Sequence, residues 1–190
     1  MKYESLDIIH DEHRALAAML SGLRTLVAAI AAGRLHPDFD LLAAMIRYID
    51  EVPEKLHHPK EDQYLFAKLR LRCPDALPYI EQLEEEHRHG GERIATLNAA
   101  LRSYREQGEA AFTGFQEALT VYLAQEWQHM NTEEHKVFPL ARQHLTEADW
   151  AEIDQAFLSN GNPWEGAAGE YTALFSRIVN TAPAPVGLGG

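Results

Sequence analysis

The sequence has little cysteine, few basic residues and no long apolar run. Its 190 residues include one cysteine, Cys73, so no disulfide can form within the chain and a reducing cytoplasm is the expected location. The longest apolar run, residues 26–32, is too short to cross a bilayer, and residues 1–14 are too polar for a signal peptide. Lys and Arg number 17 against 29 Asp and Glu, a formal net charge of −12. Nucleic acid and anionic membranes attract basic faces, so neither is an expected partner.

The chain also lacks β-type alternation and internal repeats, and four long helical patterns occupy most of it. They run from about residue 5 to 32, from 38 to 71, from the turn at 73–75 to 106, and from 109 to 145. In the first, third and fourth patterns the core positions recur in alternating steps of three and four, which is typical of antiparallel helices packed at a shallow angle. The pattern predicts an all-α fold, an up-down-up-down antiparallel four-helix bundle over residues 1–145.

A C-terminal helical extension is predicted to follow the bundle. Thr146 is placed as an N-cap for a short helix that ends near Leu158, and a further helical piece is expected within 171–179. We expect the extension, residues 146–181, to pack on the bundle through its aromatic residues, which are Trp150, Phe157, Trp164, Tyr171 and Phe175. The Ala/Pro/Gly-rich residues 182–190 are predicted to be a disordered tail.

Histidine is the residue in excess, with ten in the chain. His13, His87 and His129 interrupt apolar seams, and His57 lies beside the stripe of the second helix. Each alone would be an ordinary buried histidine. Because all four lie at similar distances from the turns of an up-down bundle, they are expected to converge at one level.

Two carboxylates arrive at that level. Glu61 follows His57 by four residues and Glu133 follows His129 by four, so each helix presents an imidazole and a carboxylate on one face. Buried carboxylates without a cation are costly. Imidazoles with bridging carboxylates inside a four-helix bundle favour a non-haem centre of two irons. Zinc is the competing occupant, but a tetrahedral zinc would leave some of these ligands unused.

These motifs resemble those of the hemerythrin-like (HHE cation-binding) domain family of bacteria, over about residues 5–145. The resemblance is carried by residues 10–14 (HDEHR), 57–62 (HHPKED), 86–87 (EH), 129–134 (HMNTEE) and 137–139 (VFP). It implies a carboxylate-bridged di-iron centre. Carried over by motif, the implied ligands are His13, His57, Glu61, His87, His129 and Glu133.

One departure from the animal oxygen carriers concerns a fifth imidazole. They place a second histidine four residues after the one on the third helix, where this chain has Gly91. His10 is the first candidate for the fifth ligand, since it lies one turn before His13, and His36 is a weaker one; a site without a fifth histidine is the third alternative. The remaining four are expected at the surface or in support of the ligands: His58, His89, His135 and His144.

Three acidic residues near the motifs needed separate interpretation. Glu134 and Asp62 are expected on solvated faces. Glu126 lies in the seam one turn before His129, and we take as a hypothesis that it orients a ligand.

The imidazole-rich ligand set favours O₂ binding over oxidation chemistry. The leading functional prediction is therefore a cytoplasmic protein that reversibly binds or senses O₂, or stores iron, and a role other than catalysis is preferred. The partner would be O₂ or another small diatomic or anionic ligand. One alternative is a di-iron redox enzyme, or a nitric oxide or peroxide stress-response protein related to iron–sulfur repair proteins. Another is an interaction module with a structural metal.

Overall fold

The computed structural model describes residues 3–158, 176–184 and 186–187, and this part of the chain is helical and contains no strand. The all-α prediction is therefore confirmed. Residues 176–181 form a further short helix. The other α-helices are α1 (Glu4–Ala31), α2 (Phe39–Ile49), α3 (His58–Lys60), α4 (Ala67–Arg72), α5 (Leu77–Gln107), α6 (Glu109–Thr132), α7 (Phe138–His144) and α8 (Glu147–Leu158).

Helix ends fall where the turn residues predict them. Gly33 and Gly108, after α1 and α5, have φ of 66° and 65°, a left-handed conformation that glycine adopts without steric cost. The Asp38 carboxylate accepts hydrogen bonds from the backbone N–H of Asp40 and Leu41 and so caps α2.

The second and fourth helical stretches contain wider π-helical turns. These turns are Asp50–His57, Glu61–Phe66 and Glu133–Val137. Pro53 lies inside the first turn, Pro59 follows it in α3, and Pro139 follows the third in α7. Proline has no N–H to continue an α-helical ladder, and π turns occur frequently at functional sites. Each residue in a π turn advances the helix by a smaller angle than in an α turn, so the side chains that follow face a different direction.

Two apolar cores lie on either side of the histidine level. The turn-side core includes Leu20 and Leu23 of α1 with Ile46, Leu97 and Phe115 of the facing helices. The cap-side core includes other residues, among them Ile9, Phe66, Leu83, Phe138 and Trp150. Burial of these side chains provides most of the driving force for folding.

Helix α8 and the last residues of the chain pack on these cores. Trp150 of α8 stacks on Tyr3 with ring centroids 4.1 Å apart, and Asp154 accepts hydrogen bonds from the backbone and hydroxyl of Ser5. Within residues 182–190, which are predicted to be a disordered tail, Ala182 is fully buried and Val186 packs against the turn-side core. The predicted packing of Trp164, Tyr171 and Phe175, and the rest of the tail, lie outside the described residues.

Helix α1 is long and apolar enough to cross a membrane by length and composition, with a mean hydropathy of 1.4 over 18 residues. This is weak evidence for a membrane span, since core helices meet the same criterion. In the structure Leu16, Leu20 and Leu23 of α1 are buried against the other helices. The hydropathy of α1 is therefore explained by its place in the bundle.

Candidate metal centre

Two buried carboxylates, Glu61 and Glu133, form the middle of the histidine level. Both side chains are 0% exposed, and neither carboxylate has an oxygen in hydrogen-bond geometry with a donor from the described part of the chain. Each begins a π turn, so the local winding aims both carboxylates into the bundle interior. Buried, unpartnered carboxylate oxygens are costly, and a bound cation removes that cost.

Two histidines lie on one side of this pair. His13 of α1 places Nε2 3.2 Å from Glu133 Oε2, and His57 places Nε2 3.3 Å from Glu61 Oε1. Both rings are buried, with centroids 5.1 Å apart. One nitrogen from each histidine and one oxygen from each glutamate lie within 4.8 Å of one another, close enough to hold a metal ion.

Three histidines lie on the other side. His129 Nε2 is 3.2 Å from Glu133 Oε1 and 3.1 Å from His87 Nε2, and His87 Nε2 is 3.8 Å from Glu61 Oε2. His58 stacks on His87 with a centroid distance of 4.1 Å and an interplanar angle of 10°. Ligand atoms of His58, His87 and His129 converge within 4.8 Å, as do those of His87, His129 and the two glutamates.

Each of these imidazoles has a carboxylate beside its outer nitrogen. Four rings donate from Nδ1 at hydrogen-bond distance: His13 to Glu134 (2.9 Å), His57 to Glu12 (2.5 Å), His87 to Asp62 (2.7 Å) and His129 to Glu86 (2.8 Å). His58 Nδ1 is 3.3 Å from Glu54 Oε2. A carboxylate on Nδ1 fixes the tautomer and orientation of a ring whose Nε2 binds a metal, and raises the basicity of that nitrogen.

Burial and the neighbouring opposite charges shift the pKa values of the side chains at the histidine level. Burial lowers the pKa of His129, but the charge and hydrogen bond of Glu133, together with Glu86 and Glu126, outweigh it and hold this pKa well above its ordinary value. Glu61 and Glu12 together act in the same way on His57. Burial raises the pKa of Glu133, and His129 and His13 more than reverse the effect, so that it lies well below its ordinary value.

The pKa values of Glu61 and His58 shift in the directions opposite to those of Glu133 and His129: the pKa of Glu61 rises and the pKa of His58 falls. Burial and the neighbouring Glu133 charge raise the pKa of Glu61. Burial, with His87 and His129 close by, lowers the pKa of His58 well below its ordinary value. His58 is therefore neutral near pH 7, which is the form of imidazole that binds metals.

A very small cavity adjoins the two-histidine side. Its volume is about 10 Å³, roughly the space of one water molecule. His13 and His57 form one wall, and the others are Glu12, Leu16, Tyr48, Val52 and Pro53. The three-histidine side has one more ring, that of His58.

Six of the seven site residues predicted from the sequence come together here. The seventh, His10, lies one hydrogen bond away: its Nδ1 donates to Glu134, which His13 also contacts, and its Nε2 is 3.2 Å from Arg142. His36 is exposed in the first turn. Neither supplies a fifth imidazole to this cluster.

The structure brings in His58 instead. Its ring is 3% exposed and faces His87 and His129, so a surface position, one of the two places expected for it, is wrong. Uniform α-helical winding places His58 away from the bundle interior, whereas the π turn Asp50–His57 changes the phase of the residues that follow. The doubled histidine directly before a proline was the available signal.

Two partly exposed carboxylates have contacts that the sequence did not predict. Glu134 and Asp62 were expected on solvated faces, but each accepts a hydrogen bond from a histidine of the centre. Both are partly exposed, so their spacing alone resembled that of surface residues. His89, His135 and His144 are exposed, as predicted.

Comparisons with known proteins identify a family but no individual relative. No curated protein and no solved structure matches the chain. The model of the hemerythrin HHE cation-binding domain matches residues 4–141, which contain every histidine and carboxylate of the centre. The chain therefore belongs to the hemerythrin HHE cation-binding domain family.

Proposed function

We propose that this protein binds two iron ions between Glu61 and Glu133 and reversibly binds O₂ at the two-histidine side. The observation that carries this proposal is the asymmetry of the donor set. Two imidazoles serve one side and three serve the other, and the small cavity lies beside the side with fewer. One position facing the cavity is thus free for a ligand from outside.

The donor set favours iron over zinc. Five imidazoles and two shared carboxylates exceed the four ligands of a tetrahedral zinc site. We propose that His13 and His57 hold one ion, that His58, His87 and His129 hold the other, and that both carboxylates bridge. A ferrous pair with an open position supplies the electrons that make O₂ binding favourable.

The chain's own residues limit what reaches that position. A cavity of about 10 Å³ has room for about one water-sized molecule, which favours a very small ligand at that position. Leu16 and Val52 are buried apolar walls, and the fixed Nδ1 hydrogen bonds of His13 and His57 keep their Nε2 atoms aimed inward. We therefore favour binding or sensing of O₂, with iron storage as a secondary role, over catalysis on an organic substrate.

The proposal also covers the order of the four helical stretches, the cellular location of the protein and its partners. Ring contacts of Phe39, Tyr104 and Phe112 lie near the turns that open α2 and join α5 to α6, while the histidines meet farther along the helices. This arrangement supports an up-down-up-down order of the four helical stretches. The lone cysteine and the net charge of −12 support a cytoplasmic location, with no nucleic acid or membrane partner.

O₂ titration of the anaerobically reduced, iron-loaded protein tests the function. We expect a visible absorption band that appears with O₂ and disappears when O₂ is removed. A Leu16→Trp variant should fill the cavity, keep its iron and lose most of the band. Immediate irreversible oxidation, or turnover of hydrogen peroxide, would contradict reversible binding and favour a redox enzyme that responds to nitric oxide or peroxide. Complete unfolding on chelation would favour an interaction module with a structural metal.

A further inference from the structure

A second buried polar group of residues lies next to the three-histidine side, outside the donor set. We call it the inner polar cluster; it consists of Glu54, Arg93, Tyr122 and Glu126. Glu126 is 0% exposed, and the Tyr122 side chain is also buried. Glu54 reaches the metal centre through its 3.3 Å approach to His58 Nδ1.

Most polar atoms of this cluster have no hydrogen-bond partner among the described residues. They are Glu54 Oε1, Arg93 Nε, the Tyr122 hydroxyl and both carboxylate oxygens of Glu126. His58 Nδ1, which adjoins them, also has no hydrogen-bond partner among the described residues. Arg93 donates through Nη2 to the carbonyl of Glu86 and lies 3.6 Å from Glu126 Oε1. So many unpartnered buried atoms in one place indicate a bound species.

The mixture of donors and acceptors decides which species fits. The Glu54 and Glu126 oxygens need donors or a cation, but the Arg93 Nε–H needs an acceptor, and a bare cation cannot provide one. Water both donates and accepts, and buried waters make two to four hydrogen bonds of this kind. Water is therefore the occupant that satisfies every unpartnered atom.

The cluster extends from the protein surface to the metal centre. At its outer end, Arg93 and Tyr122 line a groove of about 400 Å³ between α5 and α6. At its inner end, Glu54 approaches His58. Gly90 leaves room for the Glu54 carboxylate between the two ends, because a Cβ there would collide with it.

We propose that the inner polar cluster holds a chain of ordered water that carries protons from the α5–α6 groove to the three-histidine side of the centre. The side chains act as hydrogen-bonding walls, and protons move along the water molecules. This proposal rests on the proposed function in one respect only, that the route ends at a metal centre.

A proton route of this kind affects how fast O₂ is irreversibly reduced to hydrogen peroxide at the centre. Loss of O₂ as hydrogen peroxide follows O₂ + 2 Fe²⁺ + 2 H⁺ → H₂O₂ + 2 Fe³⁺, in which the ferrous ions supply both electrons and solvent supplies both protons. The carboxylates and histidines of the centre are shielded from solvent, so those protons need a hydrated path. The inner polar cluster provides one beside His58.

Crystallography and oxidation kinetics on the full chain test the proposal with matched variants. Glu126→Leu removes the hydrogen-bonding wall at similar volume, and Glu126→Gln keeps that wall without the charge. High-resolution structures of the wild type and of Glu126→Gln should show linked waters from the groove to His58, and that of Glu126→Leu should not. Oxidation of the reduced, iron-loaded protein by O₂ should slow about tenfold or more in Glu126→Leu and stay near the wild-type rate in Glu126→Gln.

Tyr122→Phe, which removes one hydroxyl, gives a milder version of the test if Glu126→Leu does not fold. The proposal is overturned if the inner polar cluster of the wild type contains no ordered water, or if it holds an ion instead. So does an unchanged oxidation rate in a variant that has lost the waters, or a Glu126→Gln variant as slow as Glu126→Leu. These readouts do not require reversible O₂ binding, so the water route can fail or hold separately from the proposed function.

Discussion

The apolar cores and the histidine level are built on opposite principles within the same helices. In the turn-side core, leucines such as Leu20 and Leu23 are fully buried against other apolar side chains, and this arrangement is stable without a ligand. At the histidine level, Glu61 and Glu133 are equally buried but have no hydrogen-bond partner among residues 3–158, 176–184 and 186–187. The first region folds the protein, and the second is complete only with a cation.

This difference predicts that folding and metal binding are separable. Apolar packing on both sides holds the backbone of the histidine level in place, so the imidazoles are positioned before a metal arrives. Substitutions at the level should then remove metal while the helices remain, and substitutions in the cores should lower stability while metal is still bound.

The largest expected effect is at Glu133. Glu133→Gln keeps the volume but removes the charge shared by both sides, so iron should fall from about two ions per chain to nearly none. Elemental analysis measures the iron, and far-ultraviolet circular dichroism should show the helices retained.

The neighbouring residue is the matched control for that change. Glu134→Gln touches only the outer nitrogens of His10 and His13, so iron affinity should weaken by about 10- to 100-fold without loss at saturating iron. Equal loss of iron in both variants would contradict a bridging role for Glu133.

Leu23→Ala tests the other region. Leu23 is 0% exposed, and truncation of such a side chain lowers the free energy of unfolding by about 2–5 kcal/mol. Chemical denaturation measures this loss, and the iron content should equal that of the wild type. Coupled loss of iron would show that the two regions are not separable.

Gly90 and Gly91, adjacent residues of α5, allow a crowded position and an open one to be compared within a single helix turn. A Cβ on Gly90 would collide with the Glu54 carboxylate, whereas no atom from the described part of the chain lies within 4 Å of a Cβ on Gly91. Gly90→Ala should cost about 1–3 kcal/mol, and Gly91→Ala should stabilise the protein by about 1 kcal/mol through helix propensity. Thermal unfolding should therefore move in opposite directions, and equal shifts would contradict the crowding at Gly90.

The smallest expected effect is at Asp149, far from the histidine level. The Arg72 guanidinium, with hydrogen bonds from Thr146, holds the pKa of Asp149 well below its ordinary value. An acid with a depressed folded pKa stabilises the protein above its unfolded pKa, near 3.9, and loses that effect as the pH falls towards the folded value. Asp149→Asn should be less stable by about 1 kcal/mol at pH 7, and the gap should close below about pH 4.

The sequence predicted the features that depend on regular winding. Seam spacing gave the all-helical fold, and Gly33, Gly108 and Asp38 mark helix ends as their chemistry requires. The i, i+4 pairs at 57/61 and 129/133 placed imidazole and carboxylate together despite the π turns nearby.

It failed where winding or burial depends on tertiary contacts. His58 faces inward because a π turn precedes it, and α-helical arithmetic cannot detect that turn. Glu134 and Asp62 are half-exposed residues whose role comes from neighbours on other helices, α1 and α5. Glu126 entered the sequence argument as a residue that orients a ligand; the structure instead places it beside Arg93 in a separate buried cluster.

The central claim is that the histidine level holds two metal ions that share Glu61 and Glu133. Anomalous diffraction at the iron edge from crystals of the iron-loaded protein tests it most directly. We predict two peaks, one beside His13 and His57 and the other beside His58, His87 and His129. A single peak with four ligands, or no peak between the two carboxylates, would contradict the account.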